Sequence, residues 1–271
     1  MSKALVTFVV PTFNKEKFIR QTIQSIHNQT ISSWKLIIVD DASSDNTLQI
    51  VKEISDPRQT KIIKHEKNQG VCHVLNTALK YVDTKYFVQV DGDDWIEPNL
   101  LEIMVSEMEK QSKTIALAYS NTNLWLNRKE KDFFRHVIKR VEFKSKYDFV
   151  TYGPMVQPRF YRTECVKEVG GWEIDDPSKG RLMEDRRMLL RLLDNYKFKY
   201  IDENLYNLRI HGNNLSSDKN AEMYNVIKKY YTDKALSRWG DGVKARYIGS
   251  PNTWKKICLV NEIQATKKKK D

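Results

Sequence analysis

Along the first 120 residues the apolar positions switch repeatedly between two spacings. Leu5–Val10 is a nearly continuous apolar run closed by Pro11. Between Lys15 and Gln29, Ile19, Ile23 and Ile26 recur at helical intervals. Trp34–Val39 is a second strand-like run, and "NTLQIVKEI" after it reads as a helix capped by Asp45 or Asn46. Lys61–His65 gives a third strand. Val71, Val74, Leu75, Ala78, Leu79 and Val82 then form a helical stripe, and Tyr86–Val90 a fourth strand. Strands apolar on both faces, separated by helices, predict a parallel α/β sheet. A further helix follows Asn99, then the strand "TIALAYS". Residues 121–150 are polar and charged with scattered aromatics, and their pattern assigns no element. "MEDRRMLLRLL" predicts a helix, "YNLRI" a strand, and the chain past Asp218 is helical in pattern before a lysine tail.

Composition narrows the class. At 271 residues the chain can bury a core without staples. Its apolar runs are far below the ~18 residues of a membrane span. "MSKALVTFVVP" lacks a small-residue cleavage site and reads as a first buried strand rather than a leader. Cys72, Cys165 and Cys258 are odd in number and far apart, which argues against a disulfide framework or structural zinc and points to a reducing cytoplasm. Charge is uneven. Residues 1–120 hold 14 Lys and Arg against 15 Asp and Glu, whereas residues 121–271 hold 32 against 20. The basic half suits an anionic membrane surface, with salt-sensitive peripheral contact, or an acidic substrate. Nucleic acid is set aside, because no zinc finger, RNP-like motif or recognition helix accompanies the charge.

The polar residues fall at the carboxyl ends of the predicted strands, where open α/β sheets bind ligands. "PTFN" follows the first strand, "DDASSD" the second, "NQG" the third and "DGDD" the fourth. In extended chain Asp91 and Asp93 point the same way while Asp94 points elsewhere, and Gly92 allows close approach to the main chain. Paired hard oxygen donors suit Mg²⁺ or Mn²⁺ with positions left open for phosphates. A calcium loop fails, since Ile96 stands where glycine is required. No GxGxxG or P-loop follows the first strand, which argues against a nicotinamide cofactor and against a nucleotidyltransferase.

Four successive blocks, "VTFVVPTFNKEKFIRQTIQSIHNQT", "LIIVDDASSDNT", "KNQGVCHVLNTAL" and "FVQVDGDDWIEPNLL", resemble those of family 2 glycosyltransferases, and the likeness resumes at "GGW…MED" and "RIHGNNLS". It implies a GT-A fold: α/β, Rossmann-like, with a mostly parallel central sheet flanked by helices. Residues 1–216 would form the catalytic domain, with a nucleotide-sugar half (1–120) and an acceptor half (121–216). Residues 217–271 would form a helical extension with the Lys-rich tail. The implied activity is metal-dependent, inverting transfer from a UDP-sugar to a cell-surface glycan or lipid-linked precursor. By the same resemblance, Pro11, Thr12 and Phe13 edge the nucleotide pocket, Asp41 meets the base, and Asn68, Gly70 and Asn76 shape its ribose and phosphate side. Asp91 and Gly92 flank the ribose, and Asp93, with Asp91 and His211, holds Mn²⁺ or Mg²⁺. Asp185 becomes the general base with Glu184 in support, and Trp172, Arg181 and Arg186 face the acceptor.

Overall fold

The computed structural model describes residues 4–212, 221–250 and 253–261. Its first half follows the two-period pattern: β1 (Val6–Thr12), α1 (Ile19–His27), β2 (Trp34–Asp40), α2 (Thr47–Ile54), β3 (Thr60–Lys64), α3 (Val71–Leu79) and β4 (Tyr86–Gln89). Then come β5 (Trp95–Ile96), α4 (Leu100–Glu109), β6 (Ile115–Arg128), β7 (Lys131–Ile138), α5 (Lys146–Thr151), β8 (Gln157–Arg162), α6 (Thr163–Glu168), α7 (Glu184–Leu192) and β9 (Lys197–Ile210). The chain continues with α8 (Ala221–Trp239), β10 (Val243–Ile248) and β11 (Lys256–Asn261).

Strands β1 to β9 form one sheet in the order β3-β2-β1-β4-β8-β6-β9-β5, with β7 added to β6. β1 to β4, β6 and β9 run one way, while β5, β7 and β8 run the other. Alternate residues of each central strand feed two cores, as a period of two requires. Phe8, Val10, Leu36 and Ile38 pack with α1 and α4 on one face. Val9, Ile37, Val39 and Phe87 pack with α3, α7 and α8 on the other. Asn46 holds the cap position of α2 without a side-chain hydrogen bond, and Asp45 before it accepts from Thr47 N on Oδ1 at 3.0 Å.

The segment without a sequence pattern is a long hairpin followed by a short helix. β6 runs on to Arg128 and turns through Lys129 and Glu130, whose φ values are 49° and 63°. α5 begins with a reciprocal cap between Ser145 and Asp148. The C-terminal extension contains α8 as expected, but the helix gives way to the antiparallel β10–β11 hairpin, which anchors Trp254 and Ile257 in the core. Its first strand alternates half-buried Val243, Ala245 and Tyr247 with exposed Lys244, Arg246 and Ile248. Ser216 and the Lys-rich tail lie outside the described residues. Among the described residues no helix is long and apolar enough to cross a membrane.

The segment 170–183 is pinned beneath α3. Asn76 donates to Trp172 O and accepts from Trp172 N, both at 2.8 Å. Cys72 N donates to Gly180 O at 3.0 Å, and Arg187 closes on Asp176 at 2.5 Å with both side chains fully buried. Gly171 has a φ of +73°, and a Cβ there would lie 2.5 Å from Asn76 Oδ1. Gly171→Ala therefore meets left-handed strain and a broken Asn76 clip, a loss of roughly 2–4 kcal/mol. Gly240→Ala, at φ +69° with open space around it, meets only the strain, about 1–2 kcal/mol. Urea unfolding of the two variants checks the difference, and equal losses would remove the clip from the account.

Candidate active site

Register places the polar strand ends together. Thr12 pairs with Asp40 and Val9 with Gln89, so Pro11–Phe13, Asp40–Asp41 and Val90–Asp94 leave the sheet at one edge. β9 runs in the same direction and delivers His211 there. β8 is antiparallel, with Arg159 opposite Gln89, so its beginning reaches this edge as well.

The three carboxylates of "DGDD" go to three environments. Asp93 Oδ2 lies 2.5 Å from Lys15 Nζ and 2.9 Å from His211 Nε2. Burial alone would raise the Asp93 carboxyl, but the His211 hydrogen bond and the Lys15 charge outweigh it and hold it at about 2. The segment is not extended chain: Asp94 N donates to Asp91 O at 3.0 Å and closes a tight turn, which carries Asp94 inward to accept from Arg209 N and Tyr206 Oη at 2.8 Å each. Burial, then the charges of Asp93 and Asp91, push it well above the usual carboxylate range. Asp91 accepts from Gln89 Nε2 at 3.0 Å and pairs with Arg159 Nη2 at 2.7 Å. Asp91 and Asp93 thus contact different partners, rather than presenting one shared pair.

Arg159 also joins this edge to α7. Its Nη1 lies 3.5 Å from Asp185 Oδ2 and 3.8 Å from Glu184 Oε1, and the residue is 1% exposed. Burial, then the charge of Asp185, push Glu184 up to about 7. Asp185 is raised chiefly by burial, with Arg159 pulling against the shift. Burial disfavours the Arg159 charge, yet Asp91, Glu184 and Asp185 keep its pKa above the ordinary value. Glu184 and Asp185, some ninety residues after "DGDD" in the chain, therefore share a counterion with it.

The predicted nucleotide residues divide. Phe13 is 41% exposed just past β1, a ring open to stacking. Pro11 and Thr12 end β1, and Gly92 packs against them: a Cβ on Gly92 would lie 3.0 Å from Thr12 Oγ1. The close approach that Gly92 permits is thus made by β1 itself. Asp41 is buried, and its oxygens accept from His65 Nδ1 (2.8 Å), Gly70 N (2.8 Å) and Gln69 N (3.0 Å), which fixes the turn into α3. Gly70 has a φ of +101° and faces the Arg181 backbone, with its Cα 3.2 Å from where a Cβ would stand. Asn68 takes Arg181 Nη1 on its side-chain oxygen and Arg181 Nη2 on its backbone oxygen. Asn76 holds the Trp172 backbone rather than lining the phosphate side.

The acceptor assignments are displaced in the same way. Trp172 is 3% exposed, its ring edge-on to Phe87 and Tyr161, so it is core and not a platform. Arg186 is buried under α5, donating to Val150 O at 2.7 Å and Tyr152 O at 3.3 Å; burial lowers its pKa to about 10. Arg181 closes on Asn68. All three keep the loop and α7 in place. Lys15 and Arg159 are the site residues that the sequence pattern missed.

A divalent cation has a partial seat. Among the described residues no group of three or more His, Cys, Asp or Glu forms a ready cage. Asp93 and His211 nevertheless converge, with the Lys15 ammonium already on Asp93. The Asp93 carboxylate suits a Mn²⁺ or Mg²⁺ that keeps most positions for substrate oxygens, and the softer His211 imidazole suits Mn²⁺ better than Mg²⁺. The residues fit such an ion as two ligands; Asp91, engaged by Arg159, is not a third.

The glycosyl transferase family 2 model matches residues 7–170, more than half of the chain. The Escherichia coli UDP-Glc:α-D-GlcNAc-diphosphoundecaprenol β-1,3-glucosyltransferase WfgD is 39% identical over 122 residues, 45% of this chain and 47% of its own. Among solved structures, residues 1–349 of S. aureus TarS in complex with UDP-GlcNAc superpose with a TM-score of 0.63 at 20% identity, covering 89% of this chain and 72% of that TarS fragment. The mannosyltransferase PcManGT from Pyrobaculum calidifontis, in complex with GDP-Man and Mn²⁺, gives 0.60 at 16% identity, covering 88% of this chain and 64% of its own. The chain spans less than half the length of the first curated relatives it matches. The order of its blocks, its sheet and the family match agree: the chain belongs to glycosyl transferase family 2.

Proposed function

We propose that this protein transfers a sugar, with inversion, from a UDP-sugar to a hydroxyl of a cell-surface glycan or lipid-linked glycan precursor. The observation that carries the reading is the convergence, through Arg159, of Asp91 at the donor edge with Glu184 and Asp185 on α7. UDP is favoured by the WfgD and TarS likenesses, and a lipid diphosphate acceptor by WfgD. The basic second half supports peripheral contact with the anionic membrane that would carry such an acceptor.

In this mechanism Phe13 stacks on the base beside Pro11 and Thr12, while Asp41 shapes the floor through the Gln69–Gly70 turn. Asp91 faces the ribose. Asp93 and His211 would hold the divalent cation, whose chemistry is to neutralise charge gathering on the leaving diphosphate. Asp185 takes the proton of the acceptor hydroxyl as its oxygen bonds to the anomeric carbon and the bond to the diphosphate breaks. Attack opposite the leaving group inverts that carbon. Arg159 keeps Asp185 available as a carboxylate, and Glu184, with its raised pKa, flanks it.

Three outcomes follow. UDP with Mn²⁺ should raise the melting temperature by a few degrees, as ligand at 100-fold over Kd adds about 2.7 kcal/mol, and the shift should vanish in Asp93→Ala. Equal stabilisation without metal would count against the cation seat. Asp185→Asn should lower kcat at least about 100-fold while UDP still binds, measured by turnover and calorimetry side by side. An active Asp185→Asn enzyme would move the base elsewhere. Glu184 also carries a stability signature. Its folded pKa, about 7, exceeds the ordinary 4.5 of a glutamate, so between these values the folded state holds a proton that the unfolded chain has released. Stability is therefore lost as pH rises from about 4.5 to 7, on the order of 1–3 kcal/mol. Glu184→Gln should melt higher than the parent at pH 8 and together with it near pH 4.5. Parallel melting curves at both pH values would show an ordinary carboxyl.

A further inference from the structure

We propose that Arg159 is a positioning residue for the transfer step, one buried guanidinium that holds the donor-side Asp91 and the α7 pair Glu184–Asp185 in a single frame. This rests on the sugar-transfer reading and adds to it a residue from outside the four sequence blocks.

The geometry is specific. Arg159 sits on the antiparallel strand β8, and its alternation with Phe160 places it on the same sheet face as Tyr161 and α7. One terminal nitrogen, Nη2, takes Asp91 at 2.7 Å, while the other, Nη1, faces Asp185 at 3.5 Å and Glu184 at 3.8 Å. A planar fork can serve two directions at once, whereas a lysine ammonium is a single point charge. Stability alone gives little reason for the arrangement, because burying a guanidinium costs several kcal/mol and a well-packed apolar side chain often does as well. Asp91 keeps 30% of its side chain exposed, so it can be hydrated when Arg159 is removed. What an apolar residue cannot do is fix the direction of two carboxylate groups relative to each other. A displacement of about 1 Å at such a site costs on the order of 100-fold in rate.

The test uses the full chain and its Arg159→Lys and Arg159→Met variants. UDP or GDP release from UDP-glucose, UDP-GlcNAc and GDP-mannose is followed with Mn²⁺ and a GlcNAc-diphosphoundecaprenol acceptor present, alongside calorimetric UDP binding and thermal melting. Both variants are expected to fold and to bind UDP close to the parent, with kcat down about 100-fold and donor KM changed far less. A merely structural residue would move melting temperature and activity together. Parental kcat in Arg159→Lys would overturn the two-sided frame, and so would a loss of UDP affinity as large as the loss of kcat. Unfolding of both variants would make Arg159 a folding residue and likewise overturn the proposal. If the parent turns over none of the three donors, the transfer reading itself falls, and this proposal with it. If the parent turns over a donor and Arg159→Lys matches it, only the role of Arg159 falls.

Discussion

A positive charge enclosed in protein depends on carboxylates supplied by other segments, and here the dependence runs both ways. Arg159 is 1% exposed, and removing it from water costs several kcal/mol unless negative charge surrounds it. Asp91, Glu184 and Asp185 supply that charge from the end of β4 and the start of α7. Without the guanidinium, Glu184 and Asp185 would stand side by side with their desolvation unrelieved, while the part-exposed Asp91 would turn to water. Neither side is comfortable alone, so Arg159 ties the end of β4 to the start of α7.

That tie needs α7 to begin at the sheet edge, which is the work of the loop before it. Segment 170–183 is held by Asn76 on Trp172, by Gly180 on Cys72 and by Arg187 on Asp176. Met183 at the start of α7 has a φ of 56°, a left-handed turn that drops the chain directly into the helix. Arg186 then ties the first turn of α7 to the end of α5. The arginines around the "ED" pair resemble an anion-binding patch in the sequence, yet Arg186 and Arg187 are spent on carbonyls and on Asp176. Their work is to set the position of Glu184 and Asp185.

Legibility followed the range of the interactions involved. The alternation of β1 to β4 with their helices was readable because each element's pattern is local and buried on a regular period. The turn between β6 and β7 was not, because Lys129 and Glu130 adopt positive φ without the Gly or Asn that normally announces such a turn. β10 alternates Val243, Ala245 and Tyr247 with Lys244, Arg246 and Ile248, but at six residues the alternation is short beside the helical pattern that precedes it. In the site, the two-residue period of a strand does not apply to Asp91–Asp94, because Asp94 N bonds back to Asp91 O and the chain turns there. The separation of Asp91 from Asp93 was not readable either, since it depends on Arg159 and Lys15 arriving from sequence-distant segments. Nothing in "QPRF" marks its arginine until β8 is known to lie antiparallel against β4.

The acidic cluster itself then makes sense as a problem of dispersal. Three carboxylates within four residues would repel if left side by side, and the fold answers with three kinds of partner. Asp94 meets a backbone amide and a phenol and leans towards its neutral form. Asp93 meets Lys15 and His211 and stays charged down to about 2. Asp91 meets a guanidinium that it shares with α7. Asp93 alone of the three meets Lys15 and His211, and Asp91 alone is joined through Arg159 to Glu184 and Asp185. The turn closed by Asp94 N on Asp91 O assigns each acid its direction, and the segments around it assign each direction its chemistry.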